Sequence, residues 1–322
     1  MYHKQRQIKK LNSYIPAAEA FRVFSGEKDC VFLDSSLVND LGRYSIIGAE
    51  PYLKLVRDGD SFLINGQEET QISFEDYLRE YLRDHVDRNE SELPLVSGAV
   101  GYFSYDYGRK LQGVPSGEKD LVKIPDAVLT FYDVYIIEDC HKKETYLAAN
   151  GITENASAKI RKIEQKLWQK PEKKAEQKLP YDILVTPNFE KEEYKKAIDD
   201  TIHYIIEGDI YITNMTQQLT IESEKPPLDV FYDLRKNNPS PFGGYMDYGD
   251  FQIVSASPER FLKMKKGHVN TRPIKGTRKR GATSEEDLLM RTELENSEKD
   301  KSELLMIVDL ERNDLNLSLI HI

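Results

Sequence analysis

The basic stretch RPIKGTRKRG, residues 272–281, contains the side chain with the clearest chemical potential in the sequence. Its lysine, Lys275, is held between an isoleucine and a glycine, and a neutral lysine amine can act as a nucleophile. Arg272 and Arg278 lie close by, and like-charge repulsion favours the neutral amine. Basic loops beside glycine turns also bind anions. The residues alone leave both interpretations open.

A glutamate could supply the proton that such a reaction needs. Glu259 follows one predicted strand and Lys275 follows a later one. Strand ends in a shared sheet can meet at one rim, where a carboxylic acid and an amine would form an acid–nucleophile pair. A surface salt bridge between the same two residues is the alternative, because most Glu–Lys pairs are surface features.

Glu303 is a candidate ligand for a hard metal ion, with Asp300 one turn earlier on the same predicted helix. Carboxylates three residues apart face the same side of a helix, and Mg²⁺ prefers oxygen ligands. A solvated helix surface is the alternative interpretation. The sequence has no Walker loop, no GxGxxG motif and no His/Cys cluster, so it favours neither a phosphate-binding loop nor a zinc site.

Composition narrows the class of protein. The chain has 322 residues, a net charge of −10 and a pI of about 5.3, and an acidic chain repels phosphate backbones, so no nucleic-acid partner is expected. Cys30 and Cys140 cannot form a disulfide framework and are interpreted as free thiols in a reducing compartment. No signal peptide is recognisable, and no apolar run approaches the ~20 residues of a membrane span. We expect a cytoplasmic protein without a membrane partner.

Strand and helix signals indicate a mixed fold. Residues 31–65 predict short strands and a hairpin at Asp58-Gly59, and a long strand is predicted at Ala127–Asp139. Helices are predicted after Ser73, from residue 188 to a C-terminal cap at Gly208, and twice after residue 283, the second with Ser297 and Asp300 as candidate caps. Two further hairpins should turn near residues 249–250 and 266–267.

The chain is predicted to divide near a polar segment. Residues 151–180 are rich in Lys, Glu and Gln and predict a surface helix followed by a linker, because Pro171 and Pro180 break a continuous helix. The predicted organisation is an N-terminal region at 1–150, the linker at 151–180 and a catalytic region at 181–322.

Six stretches in a fixed order resemble the chorismate-utilising enzymes. They are GAVGYFSYD, EGDIYITNMTQQL, NPSPFGGYM, SASPERFL, TRPIKGTRKRG and NSEKDKSELLMIVDLERNDL. The earlier FLDSS and GRYSIIGAEP resemble the N-terminal part of the anthranilate synthase and aminodeoxychorismate synthase branches. The resemblance implies an α+β fold, with two large antiparallel sheets packed face to face and helices outside.

The resemblance also implies roles for the candidate residues. Anthranilate synthases carry PIAGT where this sequence has PIKGT, the form of the aminodeoxychorismate synthases. Lys275 would attack C2 of chorismate while Glu259 protonates the departing C4 hydroxyl group, and ammonia would then replace the lysine. Gly276 and Thr277 would lie beside the substrate. The cofactor would be Mg²⁺, with Glu303 as a ligand.

Position 212 helps to separate the branches. Isochorismate and salicylate synthases have a lysine there that activates water, whereas this chain has Ile212. Ile212 also departs from the glutamine common in the amino-transferring branches, and Gln218 stands where many relatives have arginine. Anthranilate synthase component I and a non-catalytic member of the family are the alternatives to an aminodeoxychorismate synthase.

A tryptophan pocket is a further implication of the resemblance. In anthranilate synthases a Leu-Leu-Glu-Ser stretch and an Asn-Pro-Ser-Pro stretch bind the feedback inhibitor. Here Asp34 replaces the glutamate, which could move the carboxylate away from the amino group of the ligand. The implied pocket residues are Ser35, Arg43, Tyr44, Pro241, Phe242 and Gly243.

The resemblance finally implies a partner and a longer chain. No glutaminase residues are recognisable, so a separate glutamine amidotransferase subunit would supply the ammonia. Relatives continue the last motif with Gly-Arg and a substantial C-terminal portion, whereas Asn316 and Leu317 stand here shortly before the final residue. We therefore expect a truncated chain that is inactive and exposes apolar sheet and helix faces, and an extended version that turns over chorismate.

Overall fold

The structure is a computed structural model that describes residues 6–115, 122–169 and 184–319. The strands are β1 (Gln7–Lys10), β2 (Val31–Asp34), β3 (Tyr44–Asp58), β4 (Ser61–Ile64), β5 (Gln67–Glu68), β6 (Ala99–Phe103), β7 (Ala127–Asp139), β8 (Glu144–Ala149), β9 (Val185–Pro187), β10 (Leu219–Ile221), β11 (Phe242–Asp247), β12 (Gln252–Ser257), β13 (Lys263–Lys265) and β14 (His268–Asn270). The helices are α1 (Ala17–Phe24), α2 (Phe74–Asp84), α3 (Tyr105–Leu111), α4 (Ala156–Leu167), α5 (Lys191–Glu207), α6 (Pro227–Asn237), α7 (Ser284–Asn296) and α8 (Glu298–Leu319).

One large antiparallel sheet organises the described residues. Its main path runs β1-β8-β7-β3-β2-β11-β12, and β4, β5 and β6 join it at the side. The pairs β9–β10 and β13–β14 form two separate two-stranded sheets. The predicted α+β class with antiparallel sheets is confirmed, but the described residues form one large sheet where two large sheets packed face to face were expected.

Strands β3 and β7 form the centre of this sheet. Nearly every residue of β7 is buried, as expected of an apolar run covered on both faces. The sequence predicted two short strands where the structure has the single strand β3. Its pairing with β7 shifts register between Pro51 and Leu53. Proline cannot donate to a strand ladder, so this irregularity lets Pro51 lie inside a continuous strand.

Several local predictions are confirmed. Strand β7 occupies the predicted range, β3 and β4 turn after Asp58, and Ser73 caps α2 by accepting a hydrogen bond from the N–H of Asp76. The hairpins β11–β12 and β13–β14 turn at the predicted positions. Helix α5 ends at the predicted cap, Gly208, in a left-handed conformation, and Ser297 caps α8.

A buried lysine holds α4 against the sheet. The amine of Lys159 lies 2.9 Å from a carboxylate oxygen of Glu50 and 3.3 Å from one of Asp133. The Asp133 carboxylate also accepts hydrogen bonds from the N–H groups of Ile152 and Thr153. Although burial opposes ionisation, these donors hold the pKa of Asp133 below its ordinary value. The charges of this cluster are therefore satisfied inside the protein.

The described residues fall into two compact units, and Glu172–Val230 is the smaller one. That unit contains α5 and the β9–β10 sheet. The larger unit contains the ten-stranded sheet, α7 and α8. Within the predicted linker, α4 packs with Ile160 and Ile163 buried, and residues 170–183 lie outside the described residues. The domain boundaries at 150 and 180 remain predictions.

Large apolar side chains are exposed around β13, α7 and α8. They include Phe261, Met264, Leu288, Leu289 and Leu305. Across the part of the chain that the structure describes, no helix combines the length and the apolar character needed to cross a membrane.

Candidate functional site

The candidate catalytic residues lie on two connected segments of the larger unit. Glu259 comes two residues after β12, an edge strand of the large sheet, and Lys275 lies in the irregular segment that follows β14. The two strands belong to different sheets, so the prediction that both residues lie at the rim of one shared sheet is wrong. The contact between the two segments is made instead by the irregular segment, residues 271–283, which we call the lysine loop.

A hydrogen bond joins the side chain of Glu259 to the backbone of the lysine loop. Its Oε1 accepts from the N–H of Ile274 at 2.8 Å, so the carboxylate contacts the residue immediately before Lys275. Lys275 itself is exposed, and within the described ranges its amine has no ion pair or side-chain hydrogen bond. The Glu259 carboxylate thus contacts the backbone immediately before Lys275, and the lysine side chain is exposed.

A second anchor fixes the start of the lysine loop. The Thr271 hydroxyl lies 2.8 Å from the carbonyl oxygen of Phe261 and 3.1 Å from Oε2 of Glu311 on α8. These contacts tie the end of the β13–β14 hairpin to the segment after Glu259 and to α8. Sequence reasoning could not detect these contacts, because the partners lie 10 and 40 residues apart.

A third anchor is Arg278. Its Nε donates to Glu293 on α7 at 2.8 Å, its Nη2 donates to Asp300 on α8 at 3.0 Å, and its Nη1 donates to the carbonyl of Thr277 at 3.0 Å. The hydrogen bond to Glu293, followed by that to Asp300, raises the pKa of Arg278. The charge expected to repel Lys275 is thus directed at two carboxylates.

Gly276 lies against the junction of α7 and α8. Its φ angle is +76°, and a Cβ atom at this position would lie 2.7 Å from Cδ1 of Leu294 and 3.1 Å from Cβ of Asp300. Both the backbone angle and the close approach favour glycine. Thr277 is exposed beside it, so the two predicted substrate-binding residues lie directly after Lys275.

The predicted metal ligand, Glu303, is accessible to solvent. Glu303 is exposed on α8, and within the described ranges its carboxylate makes no hydrogen bond or ion pair. Asp300, one turn earlier, is bound by Arg278; hydrogen bonding from Ser297 and then from Arg278 holds the pKa of Asp300 below its ordinary value. The described residues contain no group of three metal-binding side chains. Since Mg²⁺ is commonly held by one or two carboxylates plus water, the free Glu303 carboxylate fits one ligand of such a site.

The residues of the predicted tryptophan pocket converge where β2, β3 and β11 meet. The Ser35 hydroxyl lies 2.7 Å from the carbonyl of Tyr44 and 3.0 Å from that of Pro241, and Gly243 pairs with Asp34. The two remaining members of the predicted set are Arg43, which pairs with Asp139, and Phe242, whose ring lies beneath the guanidinium of Arg260.

The carboxylate of this second region already has a partner. Oδ2 of Asp34 accepts from Nε of Arg235 at 2.9 Å. Burial raises the pKa of Asp34, although Arg235 opposes the shift. Sequence reasoning missed Arg235, which lies on α6, 201 residues away along the chain. Tryptophan binding at this junction remains a prediction.

The branch-discriminating positions, Ile212 and Gln218, belong to the smaller compact unit. Ile212 is exposed and Gln218 is half-buried. Their implied relation to Lys275 remains a prediction.

Comparison with known proteins gives related matches. Residues 36–319 match a family described as chorismate binding enzyme. The chain is 33% identical over 310 residues to anthranilate synthase component 1 of Acetivibrio thermocellus, covering 90% of this chain and 63% of the relative. It is 32% identical over 286 residues to aminodeoxychorismate synthase component 1 of Bacillus subtilis (strain 168), covering 85% and 60%.

A solved structure also matches. Anthranilate synthase component I from Streptococcus pneumoniae TIGR4 superimposes with a TM-score of 0.72 at 26% sequence identity, covering 86% of this chain and 62% of that one. The chain thus spans less than two thirds of the length of the relatives that it matches.

Proposed function

Because the chain belongs to the family of chorismate binding enzymes, we propose that it carries the lysine-dependent site of an aminodeoxychorismate synthase component I. The proposed reaction converts chorismate and ammonia to 4-amino-4-deoxychorismate and water, for 4-aminobenzoate and folate synthesis. The observation that supports it most is the exposed amine of Lys275, next to the backbone N–H that Glu259 binds. One of the matched relatives is named aminodeoxychorismate synthase component 1.

The first proposed step joins Lys275 to the substrate. The neutral amine attacks C2 of chorismate, the ring double bonds shift, and the C4–O bond breaks. Hydroxide is a poor leaving group, so Glu259 donates a proton and water departs. Oε1 of Glu259 accepts the N–H of Ile274, which leaves Oε2 to carry this proton.

The second proposed step reverses the first with a different nucleophile. Ammonia adds at C4, the double bonds shift back, and the C2–N bond breaks so that its electron pair returns to Lys275. The ammonium group formed at C4 gives a proton to the Glu259 carboxylate, which restores the acid. Water is the only other product, and the enzyme returns to its starting protonation state.

Mg²⁺ is the proposed cofactor, with Glu303 as one ligand. When bound, the ion would offset the negative charge of the substrate carboxylate. The exposed Glu303 carboxylate supports this assignment.

A separate ammonia-supplying subunit completes the proposal. Two matched relatives are named component 1, which supports a second component. We propose that this partner is a glutamine amidotransferase and that the complex acts in the cytoplasm.

Anthranilate synthase component I is the second candidate, because a relative with that name is 33% identical to this chain. The two candidates differ in product. Anthranilate is aromatic and fluorescent, whereas aminodeoxychorismate needs a lyase to give 4-aminobenzoate. Lys275, in place of the alanine of the PIAGT form, favours the first candidate.

Product identification tests the proposal. Chorismate, ammonium and Mg²⁺ are incubated with this chain, and with a version extended by the C-terminal part of a matched relative, and products are identified by mass spectrometry. We expect aminodeoxychorismate from the extended version and none after Lys275→Ala. Anthranilate as the product would support the second candidate. Unchanged amination by Lys275→Ala would refute the covalent role.

A further inference from the structure

We propose that Arg278 is a positioning residue that fixes the lysine loop on the α7–α8 junction and thereby holds Lys275 beside Glu259. The inference rests on the proposed function for its catalytic consequence, whereas the anchor itself is a property of the fold. Arg278 contacts neither the proposed nucleophile nor the proposed acid directly in the described hydrogen bonds. Arg278 would act through the loop backbone from Ile274 to Thr277.

The argument begins with what holds the lysine loop. Residues 271–282 have no helix or strand of their own. Before Lys275, the loop is held by the hydrogen bond from the N–H of Ile274 to Glu259. After Lys275, it is held by the guanidinium of Arg278, which binds two helices and a loop carbonyl at once. Lys275 thus lies between two anchors.

Close packing at Gly276 makes the Arg278 anchor directional. Gly276 approaches Leu294 and Asp300 so closely that no Cβ fits without movement, and Asp300 is also the carboxylate that Arg278 binds. The pair is partly shielded, with side-chain exposures of 28% for Arg278 and 17% for Asp300. Releasing the guanidinium removes the tie that keeps Gly276 in this position.

The shape of the side chain also matters. Three donors of one planar guanidinium point to three different acceptors, and a lysine ammonium at the end of a flexible stem does not reproduce that fork. Arg280 offers a matched control two residues later, because among the described residues it pairs only with Asp287 and its side chain is 88% exposed. Removing Arg280 deletes the same charge without releasing α8.

Hydrogen exchange tests the anchor without any need for activity. Arg278→Ala, Arg278→Lys and Arg280→Ala are compared with the wild type by mass spectrometry of peptides covering residues 272–279. We expect exchange of the Ile274 amide to rise at least about fivefold in Arg278→Ala, to rise less in Arg278→Lys, and to stay near the wild-type rate in Arg280→Ala. Equal exchange in Arg278→Ala and the wild type would overturn the proposal.

Kinetics then tests the positioning role, in whichever form of the enzyme turns over chorismate. We expect kcat to fall about tenfold or more in Arg278→Ala with a smaller change in KM, partial recovery in Arg278→Lys and no change in Arg280→Ala. Faster exchange with an unchanged kcat would overturn the positioning role. If no form turns over chorismate, the proposed function fails, and the exchange comparison still decides whether Arg278 anchors the loop.

Discussion

Gly276→Ala tests the close approach of the lysine loop to the α7–α8 junction. Two separate effects oppose the added methyl group: the φ angle of +76°, and a contact of 2.7 Å with Cδ1 of Leu294. Gly267, in the turn between β13 and β14, has the same φ angle of +76° but no atom within 4 Å of its Cβ position. Gly267→Ala therefore has the same backbone cost without the contact.

The magnitudes follow from this comparison. A left-handed conformation costs a non-glycine residue about 1–2 kcal/mol, so both variants should lose about that much stability. Overpacking typically costs a further 1–3 kcal/mol or so, and only Gly276→Ala incurs it. The tip of Leu294 can move, whereas Cβ of Asp300 at 3.1 Å is fixed to the helix backbone. We therefore expect the additional cost for Gly276→Ala to be about 1–2 kcal/mol.

Urea denaturation of the two variants measures the difference. Unfolding is followed by circular dichroism, and the free energies are compared with the wild type at the same m-value. Hydrogen exchange over residues 272–279 should also increase in Gly276→Ala and remain unchanged in Gly267→Ala. Equal destabilisation of the two variants, with no change in exchange, would mean that Gly276 is required only for its backbone angle.

Three further outcomes are expected. Lys159→Met should destabilise the protein by about 2–4 kcal/mol, because it leaves the buried Asp133 carboxylate without its cation, whereas Lys162→Met, at a side chain that is 63% exposed, should cost about 0–1 kcal/mol in the same urea titration. Although burial opposes ionisation, Arg43 lowers the pKa of Asp139 below its ordinary value of 3.8. The contribution of this ion pair to stability is therefore present above pH ~4 and is lost as the pH falls through the lowered pKa. Between pH ~7 and pH ~3 the urea midpoint should fall less in Asp139→Asn than in the wild type. Glu259→Gln keeps an acceptor for the N–H of Ile274 and Glu259→Ala does not, so both should abolish amination but only the alanine variant should accelerate exchange of that amide.

Local patterns predicted much of the fold. Strand β7 is an uninterrupted apolar run and follows its predicted range, and the caps at Ser73, Gly208 and Ser297 mark helix ends as their side chains or backbone angles require. These features depend on residues that are neighbours in sequence. The single strand β3 was missed, because Pro51 signals a break unless a register shift accommodates it.

The site was predictable only in part. The sequence singled out Lys275 and Glu259, yet it could not show that the acid contacts the backbone of Ile274. Arg278 and Asp300 lie 22 residues apart, and no periodicity relates a loop residue to the first turn of a later helix. Such contacts arise from the packing of the whole unit, so they became visible only in the fold.

The position of β2 in the sheet has a consequence for synthesis of the chain. Strands β1, β2, β3, β7 and β8 all precede residue 150, but β2 obtains its second neighbour only from β11, at Phe242–Asp247. At ribosomal rates of about 5–20 residues per second, the roughly 100 residues between β8 and the end of β11 take about 5–20 s to appear. During that interval an emerging chain presents the unpaired N–H and C=O groups of β2, a strand that includes Val31 and Phe32, which are buried in the folded protein. We therefore expect the β2 edge to be open to strand association in the nascent chain but not in the folded protein.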